Sequence, residues 1–253
     1  MYHNGWRPYV PVDVRRKRAA AHAKKLAKKG RAVRPVILDG RDIAESFWGN
    51  AWCDNLESYS DYENRMPRGR SYVRNGSVVD LQIDAGRVTA IVAGSEIYEI
   101  AIEIDPLPKK VWSALIKECA GQIGSIVELL QGKLSESVMR TLARPKTGLF
   151  PSPAEIRLSC TCPDWASMCK HVAAALYGVG ARLDSEPEIF FTLRQVDQTE
   201  LVSEAAAART IGKKRAPGKK SLATTDLSAL FGIELDGEPK KRRAPAAAKR
   251  VRR

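Results

Sequence analysis

The sequence predicts an α+β protein. It should be a small antiparallel β-meander with helices, joined to a strand–loop–helix unit and flanked by basic arms that are disordered or helical. Three observations carry this. Residues 71 to 104 alternate apolar and polar positions, are rich in Val, Ile and Tyr, and are broken by turn residues. The segments on either side place apolar residues three and four apart, as on one helical face. The formal net charge of +13 sits at the two ends. Residues 1–34 hold 11 Lys and Arg against one acid, and residues 209–253 hold 14 against four. Residues 35–208 hold 17 against 24, a net charge of −7. Blocks of like charge repel themselves and pack poorly, so the ends read as arms on a mildly acidic body. The expected division is a basic arm over 1–34, an α+β domain over 35–150, the strand–loop–helix unit with following helices over 151–208, and a basic tail over 209–253.

The elements follow in order. "VDVRRKRAAAHAKKLAKKG" is made of good helix formers but has little apolar face beyond Ala and Leu26. It is expected to be disordered alone and helical on a phosphate backbone. Ile43, Phe47, Trp48, Ala51, Trp52 and Leu56 form one helical stripe over 42–57, with Cys53 beside it as core. "RSYVRNG", "SVVDLQID", "RVTAIVA" and "EIYEIAIEI" are the expected strands. Asn75-Gly76, Asp84-Ala85-Gly86 and Gly94-Ser95 are their turns. Pro108 suits the first turn of the helix "KKVWSALIKEC", which ends near Cys119. Shorter helices are expected near 122–131 and 135–143, the second capped by Ser135, and a linker over 144–154.

"LSCTCPDWASMCKHVAAALY", residues 158 to 177, gathers three of the five cysteines and one of the three histidines. No run approaches the roughly 18 apolar residues of a membrane span. The N-terminus lacks an apolar signal region, so a reducing cytoplasm is expected, with nucleoid association in view of the charge. Stable disulfides are rare there, and five is an odd number. A Cys–His nucleophile would need an orienting group and an oxyanion hole, and nothing in this window proposes either. Iron–sulfur ligation usually takes four cysteines. A metal site fits better. Cys160 and Cys162 share one face of the strand "EIRLSC", which Pro163 ends. Cys169 should precede the following helix, with His171 in its first turn. Two pairs joined by a six-residue loop can converge as a Cys₃His zinc site, structural because protein fills all four positions. Trp165 in the loop is expected to pack on the body as a lid.

The spacing Cys160-x-Cys162, a short spacer, then Cys169-x-His171 resembles the SWIM zinc finger. The likeness extends through "FWGNAW", "RGRSYVRNGSVVDLQI", "GRVTAIVAGSEIYEI" and "FFTLR", over roughly residues 43 to 205, and is strongest to the bacterial branch. It implies Cys160, Cys162, Cys169 and His171 as ligands. It also implies a module for DNA or protein contacts, found in or beside SWI/SNF-type helicases, transposases and recombination factors.

Basic arms on an acidic body are a footprint of nucleic-acid binding without sequence preference, DNA foremost. A second basic segment, "YENRMPRGRSYVRNG", interleaves Arg65, Arg68, Arg70 and Arg74 with Tyr62 and Tyr72. It could grip phosphate through Arg and stack bases on Tyr, or equally be a solvated hairpin with Arg on its outer face. Within the tail, "DLSALFGIEL", residues 226 to 235, reads as a short docking motif for a protein partner. The expected function is a non-enzymatic, zinc-binding module for nucleic-acid and protein contacts, accessory to a SWI/SNF-type helicase. The alternative is a pure protein–protein adaptor whose arms only solubilise it. A nuclease built on Asp80, Asp84, Glu96, Glu99 or Glu103 is disfavoured, because strand periodicity turns most of them outward.

Overall fold

The computed structural model describes residues 10–58, 65–120, 122 and 135–213. The chain divides into two units, 1–212 and 213–253, and all described residues but Lys213 lie in the first. The short helix expected near 122–131 lies, but for residue 122, outside the described residues, as does the tail motif over 226–235. No helix among the described residues is long and apolar enough to cross a membrane.

In chain order the elements are α1 (Val12–Lys28), α2 (Phe47–Glu57), α3 (Met66–Arg74), β1 (Val78–Asp84), β2 (Arg87–Ala93), β3 (Ile97–Ile104), α4 (Lys109–Ala120), α5 (Glu136–Leu142), β4 (Ile156–Cys160), α6 (Lys170–Leu183), α7 (Ile189–Arg194) and α8 (Thr199–Lys213). The strands form one antiparallel sheet in the order β1-β2-β3-β4. A two-residue turn at Ala85-Gly86 joins Asp84 to Arg87, and Gly86 takes φ +66°. That left-handed backbone favours glycine, which has no Cβ to clash.

Strand parity divides the sheet into two faces. Val88, Ala90 and Val92 pair with Ile102, Ile100 and Tyr98, and the last strand adds Ile156, Leu158 and Cys160. These face α6. A bulge between Val78 and Asp80 keeps Val79 off that face. Val79, Ile91 and Ala93 instead meet Ala19, Ala23 and Leu26 of α1 on the other side. The narrow Ala stripe is therefore enough of an apolar face, because small side chains let the helix lie close to the sheet. The N-terminal arm, expected to be disordered alone, is a helix docked on the body. Beyond it, residues 31–36 run along the outer edge of β1. Val36 donates its backbone N–H to the Val78 carbonyl (3.2 Å), and Leu81 donates to the Arg34 carbonyl (2.9 Å). Asp80, fully buried, fixes this segment. Its Oδ1 accepts from the Arg34 backbone N–H at 2.9 Å, and its Oδ2 faces Arg31 at 2.8 Å.

The other face packs on α6, whose residues from His171 to Gly180 are all buried. A helix with no polar face needs neighbours all round. α2 and α3 supply them at close range through glycines. A Cβ on Gly69 would lie 2.4 Å from the Ala173 Cβ and 2.8 Å from its carbonyl carbon. A Cβ on Gly49 would lie 2.6 Å from the Gly180 carbonyl oxygen. Ser46 caps α2 by accepting from the Gly49 N–H (3.1 Å), and Asp184, at the end of α6, accepts from the N–H groups of Glu45 and Ser46.

Three expectations are corrected. "RSYVRNG" is not a strand or hairpin arm but the end of α3. Pro67 starts that helix, and Met66, Gly69 and Val73 recur on its buried face. The alternation was a short sample of a helical period. The fourth strand comes instead from "IRLSC", so the Cys/His unit and the meander share one sheet and one core across position 150. Residues 144–154 are not a free linker, since Leu149 and Phe150 are buried and Phe150 meets Phe190 edge-on at 4.6 Å.

Gly69→Ala should destabilise the fold by about 1–3 kcal/mol, because the new methyl meets backbone rather than a yielding side-chain tip. The measurement is a lowered denaturant midpoint at unchanged slope.

Candidate metal centre

β4 delivers Cys160 at its last position, and Cys162 follows two residues beyond. The chain leaves the sheet there because Pro163 cannot continue a ladder. The loop is held by Asp164, which accepts from Arg65 at 2.9 Å and from the Ala166 N–H at 3.3 Å. Cys169 is the N-cap residue of α6, with extended backbone, and His171 lies in the first turn. This order satisfies the i, i+2 spacing, since two residues apart within a helix would diverge.

The structure brings Cys160, Cys162, Cys169 and His171 together. Their ligand atoms all lie within 4.8 Å of one another. His171 Nδ1 is 3.9 Å from Cys160 Sγ and 3.8 Å from Cys169 Sγ. A tetrahedral zinc with Zn–S near 2.3 Å and Zn–N near 2.0 Å has edges of about 3.5–3.8 Å, so the donors fit it.

The proton distribution supports the same reading. Cys169 is held down to about 3, first by its hydrogen bond with Cys160. Cys160 is pushed far up, first by the same bond. Cys162 is raised, first by burial. Burial is also the main reason His171 lies below the usual histidine range, which favours the neutral ring that a metal ligand needs. Three thiolates this close would repel one another, and a divalent cation among them would offset that repulsion. When bound, zinc supplies charge neutralisation and a cross-link between strand and helix.

The far side of the imidazole is equally defined. Tyr98 stacks on it, with centroids 4.3 Å apart at 28°, and Tyr72 meets it edge-on at 5.2 Å. His171 Nε2 is buried and has no hydrogen-bond partner among the described residues. A Cβ on Gly94 would stand 2.8 Å from it. Gly94 was legible only as a weak turn signal; its service here is to leave room for the ring. Tyr98 read simply as a strand residue.

Other expectations fall differently. Trp165 is no lid: it is 93% exposed, and Met168, buried, fills the inner side of the loop instead. Cys53 and Cys119 are buried away from the cluster, their thiols pushed up to about 12 and about 11, first by burial. Of the basic segment, Arg65 pairs with Asp164, and Arg70 bonds Glu57 and the Tyr177 hydroxyl. Arg74 donates to the Arg41 carbonyl at 2.6 Å, Tyr72 is half-buried against His171, and Arg68 is exposed. Asp80 is a structural anchor rather than an outward acid.

Residues 149–179 match the family model of the SWIM zinc finger. Over 173 residues the chain is 37% identical to Uncharacterized protein Rv2102 of Mycobacterium tuberculosis. That stretch is 67% of this chain and 62% of the relative, so the chain spans less than two thirds of that protein's length. No solved structure matches the chain.

One zinc per chain is expected by elemental analysis of the purified protein. Cys160→Ser and His171→Ala should lose it, whereas Cys53→Ala and Cys119→Ala should keep it. Gly94→Ala should retain the fold but weaken zinc binding by about tenfold or more, the scale on which groups behind a metal ligand act. Competition against a chelator of known affinity measures this.

Proposed function

From residues 149–179 being a SWIM zinc finger, we propose that this chain is a non-enzymatic nucleic-acid-binding protein. In this reading the zinc site braces the fold and basic segments hold phosphate. The observation that carries it is the outer face of α1. Lys17, Lys24, Lys25, Lys28 and Lys29 are exposed there, and none forms an ion pair among the described residues. At 1.5 Å per residue they span about 18 Å, or roughly five phosphate spacings along one strand. The opposite face of the helix is committed to the sheet, so the lysines are presented in one direction. Lysine reads phosphate charge and not base edges, so little sequence preference is expected. DNA is the favoured ligand, in the cytoplasm or nucleoid. The basic tail, residues 209–253, would add a second electrostatic contact. Among the arginines of α3, Arg68 is the one open to contribute, because Arg65, Arg70 and Arg74 already hold partners.

The likeness to the SWIM finger's bacterial branch adds a SWI/SNF-type helicase as the protein partner of this proposal. Trp165 favours the second reading, an adaptor whose basic arms only solubilise it. An exposed tryptophan on a loop fixed by the Arg65–Asp164 pair is well placed to anchor a protein contact.

Truncation at residue 34 is a poor test, since it would uncover Val79, Ile91 and Ala93 and strip Asp80 of Arg31. Substituting the five outward lysines with Gln is cleaner. Duplex DNA affinity should fall, and the slope of log K against log salt should drop by about 0.9 for each phosphate that is no longer neutralised. Unchanged affinity and slope would favour the adaptor. Affinity purification of the full chain, with and without Trp165→Ala, tests for the helicase.

A further inference from the structure

Tyr72 and Tyr98 clasp His171, and α1 reaches both of them from the other side. Arg15 is buried, at 7% exposure, and lays its guanidinium over the Tyr72 ring, 4.7 Å from the centroid. Arg18, three residues on, donates to the Ser95 carbonyl. The Ser95 hydroxyl in turn shares a 2.7 Å hydrogen bond with the Tyr98 hydroxyl. Arg16 donates to the Asn75 carbonyl, at the C-cap of α3, at 3.0 Å. One helix therefore ties down both elements that hold the ligand's ring.

Arg15 is an expensive way to dock a helix. It is a buried cation with no ion pair among the described residues, where an apolar side chain would pack at lower cost. Its position makes sense toward the metal. Zinc with three thiolates and a neutral imidazole carries a net charge of −1. The Tyr72 ring lies against both Arg15 and His171. The ring faces the cation and packs on the imidazole, so it couples the position of one to that of the other.

We infer that docking of α1 and retention of zinc are thermodynamically coupled through Tyr72 and Tyr98. Docked α1 holds the His171 ring in ligand position, and bound zinc holds the two tyrosines where Arg15 and Arg18 need them. Coupling of this kind is reciprocal. A helix of this length is marginal when released into water, so a phosphate backbone that binds its lysines as a helix also favours the docked state. Nucleic acid on α1 then slows the loss of zinc, and loss of zinc weakens nucleic-acid binding. The coupling itself needs no nucleic acid; only this last consequence rests on the function proposed above.

The test is zinc release from the full chain to an excess of a colorimetric chelator. Arg15→Met with Arg18→Ala keeps the length and burial of the first side chain while removing both tethers. It should release zinc about tenfold faster without nucleic acid, the scale of one cation–π contact plus one hydrogen bond. Tyr72→Leu should do the same. Substitutions of exposed lysines on α4, Lys109→Gln, Lys110→Gln and Lys117→Gln, should leave release unchanged. Release within twofold of the parent in the double variant, with near-ultraviolet circular dichroism intact, overturns the coupling. So does equal acceleration by the lysine variants, which would mark a general charge effect. Saturating duplex DNA should slow release from the parent but not from the double variant. Faster release in the double variant, with no effect of DNA on the parent, would leave the coupling standing and refute the nucleic-acid reading alone.

Discussion

A helix with no polar face is the constraint around which this molecule is arranged. From His171 to Gly180 every residue of α6 is buried, so water can solvate no side of it. The sheet covers one side, and α2 and α3 cover others. The covering is close because glycine or alanine stands where the backbones meet, at Gly49, Gly69, Ala173 and Gly180. Even the polar groups serve this helix: Trp52 Nε1 donates to the Leu176 carbonyl at 2.8 Å, and Asp184 at its end caps α2. Packing at this distance leaves little freedom to slide or rotate.

That rigidity reaches the metal centre directly. His171 belongs to the first turn of α6, and Cys169 is its N-cap. The other side of the site is anchored by β4, whose Cys160 pairs with Ile100 in the sheet. The ligands are thus presented by two elements already fixed to one core, with the short loop held by Arg65 and Asp164. The four donors sit in a frame held by packing. Two tyrosines wall the imidazole, and its Nδ1 faces the Cys160 and Cys169 thiols.

The ligand set was legible from sequence because metal spacing is local: four residues within twelve positions carry it. The strands from Val78 to Ile104 were legible for the same reason, as alternation and turn glycines are short-range signals. What escaped depends on distant partners. Residues 70–76 looked like a strand because five residues of alternation cannot be told from one helical turn and a half. Only the approach of Ala173 to Gly69 decides it. The arm's helix was visible, but its docking was not, since an Ala stripe becomes an apolar face only when a bulge turns Val79 toward it. Asp80 looked like a surface acid for want of any local hint that Arg31 and the Arg34 backbone would fold over it. The clasp on His171 draws on three separate elements, α1, α3 and β3, and no linear pattern announces it.

The segment that lies along β1 has one more bearing. An outermost strand offers a row of free N–H and C=O groups, which another chain's strand can extend. Here Arg34 and Val36 occupy that row, and the Asp80 carboxylate, out of reach of water, pins them. A proteolytic nick in the exposed, lysine-rich stretch before Arg31 would leave the core between the sheet and α6 intact while loosening this cover. The first symptom would then be self-association through β1 rather than unfolding, so the N-terminal segment also protects the protein against aggregating with its own copies.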